Sequence, residues 1–294
     1  MCGIAGIFLR RQAVVEAHLD ALVARLGHRG PDKLKTHRDG SLGLAHARLS
    51  IIDLAGGDQP LFAEDGNLAL VANGEIYNFV ELRLELEALG AVFATHSDCE
   101  TILHAYRHYG DSFLDKLHGM FAFALYDRRQ CKLLLARDRQ GIKPLFLAQT
   151  AEGLYFASEQ KALFPCLSDG PNINPRALVQ SLETGFNTGA ETIVTGIERL
   201  QAGEVAVFEQ GQLVSRRRYW SPFTLPASAT NYHEAARTFE DLMAQTMLEH
   251  MRADVPFALF LSGGVDSSVV LEWLRREGGG TGGVHGGFHR RAEQ

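Results

Sequence analysis

The sequence predicts a mixed α and β protein in which two stacked β-sheets are covered by helices, followed by the start of a second α/β unit. Three observations lead to this fold class. Apolar runs of strand length alternate with amphipathic helical segments, and short turns join many strands in an antiparallel sense. Residues 221–230 carry two prolines among small polar residues, which predicts a linker. Beyond it, a fully apolar run at residues 256–261 enters a Ser/Gly loop and a helix, as in a parallel sheet.

The individual elements follow from the spacing of apolar residues. Short apolar runs bounded by turn residues predict strands at residues 3–8, 42–46, 48–53, 67–72, 91–95, 119–126, 132–137, 154–157, 205–208, 213–215 and 256–261. Apolar residues three and four apart, such as Leu19, Leu22 and Leu26, predict helices instead. These helices cover residues 14–26, 80–89, 100–109, 158–163, part of 172–186, 232–251 and 269–276. Residues 278–294 are rich in glycine without apolar periodicity, which predicts a disordered tail.

Composition narrows the classes of function. The apolar fraction of 46% and the charged fraction of 22% are typical of a soluble globular protein. The net charge of -6 argues against a general nucleic-acid binder, and no apolar run has the ~18 residues of a membrane span. The four cysteines, Cys2, Cys99, Cys131 and Cys166, are far apart in the sequence and form no C-x-x-C pair. We therefore expect no disulfide framework, no metal site and a cytoplasmic location.

The first two residues carry the strongest chemical signal. If Met1 is removed, Cys2 presents a thiol nucleophile and a free α-amine on one carbon, and the amine can take the thiol proton. The apolar run at residues 3–8 would hold this terminus in a buried strand. Taken alone, a cysteine at position two is usually an accident of translation. The catalytic interpretation therefore depends on the rest of the sequence.

Two further segments have both a structural and a functional interpretation. Asn73-Gly74 is a strong hairpin signal, but the Asn73 side-chain amide and the Gly74 backbone N–H are also donors that could hold an oxyanion. Asp98 precedes a predicted helix, so helix capping alone would explain it. The loop at residues 28–32, which contains Gly30 and Pro31, is either a functional loop or a turn.

The Ser/Gly loop at residues 262–268 has the layout of a phosphate-binding site. A predicted strand leads into it and a predicted helix follows, so that loop N–H groups and the helix N-terminus would converge on an anion. The loop lacks the lysine of a Walker A motif and is therefore a different type of phosphate loop.

Together these segments resemble a known family. Residues 1–200 or so resemble the class II, Ntn-type glutamine amidotransferase domain, and the order of motifs is that of the glutamine-hydrolysing asparagine synthetase family. The matching motifs are MCGI at residues 1–4, HRGPD at 28–32, RLSII at 48–52, NGEIYN at 73–78, SD at 97–98, GMFAFA at 119–124, RD at 137–138, GIKPL at 141–145 and SEQKAL at 158–163. Each motif is weak alone, but their joint order is specific.

The resemblance implies a four-layer αββα glutaminase and a role for each of seven residues. Cys2 would attack the glutamine amide, and Asn73 with Gly74 would form the oxyanion hole. Arg48 would bind the substrate α-carboxylate, while Glu75 and Asp98 would bind the α-ammonium group. Ile52 completes the implied glutamine site. The resemblance requires no cofactor for this hydrolysis.

For the second unit, the resemblance implies a PP-loop that binds the pyrophosphate of ATP. Its residues would be Leu261, Ser262, Gly263, Gly264, Val265, Asp266, Ser267 and Ser268. In the family, this unit activates aspartate with Mg-ATP, and ammonia from glutamine displaces AMP to give asparagine. Implied ligands are thus glutamine, ATP and aspartate, and a homodimer is compatible with the resemblance.

The departures from the family concern mainly the second unit. A family synthetase domain continues far beyond its PP-loop, whereas here one predicted helix follows. In the first unit, QAG at residues 201–203 replaces the usual Pro-Pro-Gly. We expect a glutaminase domain at residues 2–213, a linker at 214–231, a partial synthetase domain at 232–277 and the tail at 278–294. The alternative is a truncated, non-catalytic remnant or a subunit that needs a partner chain.

Overall fold

The computed structural model describes residues 1–225 and 231–277. The chain divides into two compact units, of which the first is Met1–Leu225 and the second begins at residue 226. The expected boundary at residue 213 falls inside the last strand of the first unit. Residues 226–230 of the expected linker and the expected disordered tail at 278–294 lie outside the described residues.

The first unit contains two six-stranded antiparallel sheets. The strands are β1 Gly3–Leu9, β2 Lys33–Asp39, β3 Leu42–Arg48, β4 Leu61–Phe62, β5 Leu68–Ile76, β6 Gly119–Asp127, β7 Lys132–Arg137, β8 Phe146–Gln149, β9 Gly153–Ala157, β10 Glu198–Arg199, β11 Glu204–Glu209 and β12 Gln212–Arg218. The first sheet has the order β10-β8-β9-β1-β3-β2, and the second has the order β12-β11-β7-β6-β5-β4.

The helices lie along the same chain order. They are α1 Glu16–Ala24, α2 Phe79–Ala88, α3 Glu100–Tyr109, α4 Gln160–Leu163 and α5 Pro175–Thr184 in the first unit, and α6 Tyr232–His250 and α7 Val265–Glu277 in the second. In the described part of the chain, none of these helices combines the length and apolar character that a membrane crossing requires.

Three apolar layers hold the first unit together and confirm the predicted four-layer αββα fold. Between the sheets, Phe8 of β1 packs edge to face on Tyr126 of β6, with ring centroids 5.9 Å apart. Outside the first sheet, Leu19 of α1 joins the side chains on the other face of β1. Outside the second sheet, α2 and α3 contribute Leu86 and Ile102 to a third layer. Each sheet is thus apolar on both faces.

Strand β1 is held firmly because it pairs with β3 on one side and β9 on the other. All seven of its residues are buried. A Cβ atom on Gly6 would lie 2.2 Å from the Phe156 ring and 2.7 Å from the carbonyl oxygen of Gly43, so only glycine fits there. The N-terminal residues that precede β1 are consequently fixed against the sheet.

Two predicted strands in the first unit are wrong. The carbonyls of residues 52–54 turn back onto the Arg48 guanidinium, so the chain after β3 is a loop. At residues 91–95, the Glu100 carboxylate accepts the N–H groups of Ala94 and Thr95, which removes them from any sheet. The hairpin interpretation of Asn73-Gly74 is also wrong, because β5 runs straight through both residues. Strands β2 and β8 were not predicted, since β2 is a polar edge strand and β8 has four residues.

The second unit contains the two predicted helices but not the predicted strand at residues 256–261. Phe260 in that segment is 96% exposed. A parallel strand needs neighbouring strands for its hydrogen bonds, and the described part of this unit supplies none. The apolar run therefore remains an irregular segment before the Ser/Gly loop.

Candidate active site

The Cys2 thiol lies at the N-terminal end of β1 against the peptide group of Leu49. The Leu49 N–H donates to Sγ over 3.3 Å, and Sγ lies 3.4 Å from the Leu49 carbonyl oxygen. Burial raises the pKa of the Cys2 thiol, while the hydrogen bond from Leu49 and the nearby terminal amine, Arg48 and Lys143 act to lower it. Met1 is attached in this structure and is 59% exposed. Burial lowers the pKa of its terminal amine.

The loop at residues 28–32 fixes the backbone of Cys2 through Arg29. Arg29 Nε donates to the Cys2 carbonyl oxygen over 3.0 Å, and Arg29 Nη1 donates to Glu159 over 3.0 Å. Glu159 also accepts from His28, and its hydrogen bonds lower the pKa of its carboxyl group to about 2 despite partial burial. A Cβ atom on Gly30 would lie 2.2 Å from the Ala47 backbone. The loop is therefore pressed closely against β3.

Strand β5 brings two hydrogen-bond donors to the same place. The Asn73 side chain is 1% exposed, and its Nδ2 has no hydrogen-bond partner within the described residues. On the same edge of β5, the N–H of Ala72 donates to the Gln59 side chain over 2.6 Å and that of Ile76 donates to Asp98 over 2.8 Å. Antiparallel strands alternate their N–H directions, so the Gly74 N–H points to this edge, away from β6.

Asp98 is not a helix cap. It is 4% exposed, and its carboxylate accepts from the Ile76 N–H of β5 instead of from the first turn of α3. Burial, together with the charge of Glu75, raises the pKa of Asp98 to about 6, although the Ile76 hydrogen bond opposes the shift. A buried carboxyl group beside a second carboxylate is suited to bind a cation.

The Arg48 side chain is buried and forms several hydrogen bonds to protein oxygen atoms. Its Nη1 donates to Asp58 over 2.8 Å and to the Leu54 carbonyl, and its Nη2 donates to the carbonyls of Ile52 and Asp53. The guanidinium group thus shapes the loop after β3. For the Arg48 side chain, no hydrogen bond of Nε is found in the described residues, which leaves one N–H for a ligand.

One pocket brings together all seven residues expected at the glutamine site. Its lining includes Cys2, Arg48, Ile52, Asn73, Gly74, Glu75 and Asp98. Among the other residues that line this pocket, the sequence suggested no role for His46, Gln59, Cys99 and Lys143. For Lys143, the sequence signal that could have indicated a role is its position in the GIKPL motif at residues 141–145. His46 Nε2 donates to the Ala72 carbonyl over 3.2 Å and links the two sheets beside the pocket.

The Ser/Gly loop of the second unit is built from its own hydroxyl groups. Ser262 Oγ lies 3.1 Å from Ser267 Oγ and accepts from the Gly264 N–H over 3.3 Å. Ser268 Oγ donates to the Gly264 carbonyl over 2.9 Å. These hydroxyls stand at the N-terminus of α7, an arrangement whose donors fit a phosphate group. Within residues 1–225 and 231–277, no cluster of three or more Asp, Glu, His or Cys side chains could hold a metal ion.

Comparison with known proteins identifies the first unit. Residues 1–220 match the glutamine amidotransferase domain family. The chain belongs to this family. Residues 238–289 match a second family, described as asparagine synthase.

Several sequence relatives of this chain are named asparagine synthetases. It is 36% identical to asparagine synthetase [glutamine-hydrolyzing] 1 of Bacillus subtilis, over 92% of this chain and 43% of that protein. It is also 36% identical to asparagine synthetase B [glutamine-hydrolyzing] of Escherichia coli, over 92% of this chain and 44% of that protein. The chain thus spans less than half the length of these relatives.

A solved structure supports the fold of this chain. The glutamine phosphoribosylpyrophosphate amidotransferase of B. subtilis, complexed with ADP and GMP, aligns with a TM-score of 0.52 at 20% identity. The alignment covers 95% of this chain and 64% of that one. At this identity the likeness concerns the fold alone.

Proposed function

We propose that this chain hydrolyses the side-chain amide of glutamine with Cys2 as the nucleophile. The observation that carries the proposal is the Asn73 side-chain amide, a buried donor without a partner in the described residues, on the pocket that also contains the thiol. The Gly74 N–H faces the same edge of β5. Two preorganised donors beside a nucleophile are suited to stabilise a developing oxyanion.

The proposed reaction begins with attack of Cys2 Sγ on the amide carbon. The carbonyl oxygen becomes an oxyanion that accepts hydrogen bonds from Asn73 Nδ2 and the Gly74 N–H. With Met1 removed, the α-amine of Cys2 takes the thiol proton and gives it to the leaving nitrogen, so that ammonia departs and a thioester remains. Water then cleaves the thioester to release glutamate and restore the thiol.

The charges of the pocket fit the other end of glutamine. We propose that Glu75 and Asp98 bind the α-ammonium group, since both carboxylates line the pocket. The α-carboxylate is assigned to Arg48 with the loop around Ile52. Because four N–H groups of Arg48 are engaged by protein oxygens, the contact is expected through Nε.

The test is glutamate release from glutamine by the purified chain, with mass spectrometry of its N-terminus. We expect turnover only from protein that begins at Cys2, and loss of turnover in Cys2→Ala. Cys131→Ala is the matched control, because Cys131 is an exposed free cysteine on the β6–β7 turn. Turnover by Cys2→Ala, or by protein that retains Met1, would rule out the proposed mechanism.

For the second unit, we propose a phosphate-binding role for residues 261–268. When bound, Mg-ATP would supply an activated acyl-AMP, and the Ser262, Ser267 and Ser268 hydroxyls with the Gly263 and Gly264 backbone would hold its pyrophosphate. The donor set fits a phosphate group, and the match to the asparagine synthase family covers this loop. Aspartate as the acceptor and a homodimer are part of this proposal, and so is a cytoplasmic location. We expect this chain alone to form glutamate but no asparagine.

A second candidate is a subunit that is completed by a partner chain. The observation that favours it is the apolar surface of the second unit, where Phe239, Leu242, Phe257 and Phe260 are each more than half exposed. Size-exclusion chromatography with a glutaminase assay separates the two candidates. A folded monomer with turnover supports the glutaminase, whereas aggregation without turnover supports the incomplete subunit.

A further inference from the structure

The loop that follows β7 is held rigidly by two charged residues, the buried Asp138 and the half-buried Arg137. The Asp138 side chain is buried, and its carboxylate accepts the N–H groups of Phe121, Gln140, Ile142 and Lys143 at 2.9 to 3.2 Å. These contacts leave the loop little freedom, because one carboxylate closes several backbone hydrogen bonds at once.

Arg137 secures the same loop from its other side. Its Nε donates to the Lys143 carbonyl over 2.6 Å, and its Nη1 and Nη2 donate to the carbonyls of Leu200 and Gly141. The backbone of Lys143 is therefore fixed at both its N–H and its carbonyl group. Its side chain is delivered to a defined place, the pocket that contains Cys2 and Glu75.

Lys143 is the uncommitted cation of that pocket. The residue is 5% exposed, yet within the described residues its ammonium group makes no hydrogen bond and no salt bridge within 4.0 Å. Arg48, the other Lys or Arg side chain that lines the pocket, is bound to Asp58. A buried lysine without a partner is costly unless nearby groups favour its charge, and here these groups are Glu75, Cys2 and Asp138.

We infer that Lys143 is a positioning residue whose ammonium group favours the ionised, reactive form of the Cys2 thiol and partly offsets the effect of burial on it. The inference deepens the proposed glutaminase function, because the thiolate is the attacking species. It also explains the hydrogen bonds of Arg137 and Asp138 to the loop after β7, because these bonds fix the position of Lys143.

The charges on all sides of the two groups support this role. Around Lys143, burial and Arg29 lower the pKa of its ammonium group, while Glu75, Cys2 and Asp138 raise it. Around Cys2, burial raises the pKa of the thiol, and the terminal amine, Arg48 and Lys143 lower it. Removal of the Lys143 charge should therefore shift Cys2 ionisation to higher pH.

The experiment measures how fast iodoacetamide alkylates Cys2 between pH 6 and 10, without glutamine. Peptide mapping separates Cys2 from Cys99 in the same pocket and reports whether Met1 is present. Lys143→Met is expected to lower the alkylation rate at pH 7 by roughly three- to tenfold and to move the midpoint to higher pH. Lys143→Arg, which keeps the charge, should retain a profile near that of the parent chain.

Lys132→Met is the matched control, because it makes the same change at the opposite end of β7. Lys143→Gln repeats the test with a polar side chain if Lys143→Met fails to fold. In a glutaminase assay, the loss in kcat should diminish as the pH rises; a role limited to glutamine binding would change KM alone.

An unshifted alkylation profile in folded Lys143→Met or Lys143→Gln would overturn the inference. So would an equal shift in Lys143→Arg or Lys132→Met, because neither variant removes charge from the pocket. Alkylation needs no turnover, so the result stands apart from the proposed function. A chain that shows the Lys143 shift but hydrolyses no glutamine would refute the glutaminase proposal alone.

Discussion

The pocket around Cys2 and the Ser/Gly loop are both rich in hydrogen-bond donors, but they are built in different ways. In the pocket, neighbouring strands and buried side chains hold each group, so that Asn73 can remain buried without a partner. In the loop, the hydroxyls of Ser262 and Ser267 contact each other, and Ser262 is exposed while Ser267 is half-buried. A donor held by a sheet is available to a ligand at no cost of reorganisation, whereas an exposed loop must be ordered by its ligand.

The largest effect that this comparison predicts is on catalysis at Asn73. Asn73→Ala should reduce the kcat of glutamine hydrolysis by roughly 100- to 1000-fold, the usual loss for one oxyanion donor. Its melting temperature should change little, because the Nδ2 group that is removed has no partner. The kinetics and a thermal melt of the same sample check both parts. A variant with full activity would show that the buried amide is a structural feature.

A smaller effect concerns the pH dependence of stability at Asp98. Its pKa in the folded chain is raised to about 6 by burial, so the folded state binds a proton more tightly than the unfolded chain does. The stability from this group is present below pH 4 and is lost as the pH rises through 6, by about 3 kcal/mol at neutral pH.

Asp98→Asn removes this titration, so the free energy of unfolding of the variant should decrease less as the pH rises. Urea unfolding of both chains between pH 4 and 7.5 gives the difference in their free energies of unfolding. Burial lowers the pKa of His46 to about 4, which has the opposite effect on stability. Because His46 is present in both chains, its contribution cancels in the difference. A constant difference across this range would contradict a raised pKa at Asp98. The same substitution should also weaken glutamine binding above pH 6.

The smallest effect is expected in the loop. Ser262→Ala should change the free energy of unfolding by less than about 0.5 kcal/mol, because the hydroxyl is exposed and its contacts are local. Calorimetry of the variant beside the parent chain measures this. A loss of several times that size would mean that the loop is as firmly built as the pocket, and the contrast between the two regions would disappear.

The sequence by itself determined much of the first unit. The apolar spacing predicted α1, β1, β6 and β7, and the motif order singled out seven residues that the fold brings to one pocket. These features are local, or they depend on residue types that the chemistry demands. The sequence wrongly predicted strands at residues 48–53, 91–95 and 256–261, where the apolar content is similar to that of a strand.

Only the tertiary structure decided what those residues can do. It showed that Asn73 and Gly74 lie within β5, that Asp98 receives a strand N–H, and that Arg48 is engaged by Asp58. It also placed Lys143 beside Cys2, although 141 residues of sequence separate them. A hydrogen-bond partner or a neighbouring charge across two sheets leaves no periodic pattern in the chain, because it arises only when distant strands pack together.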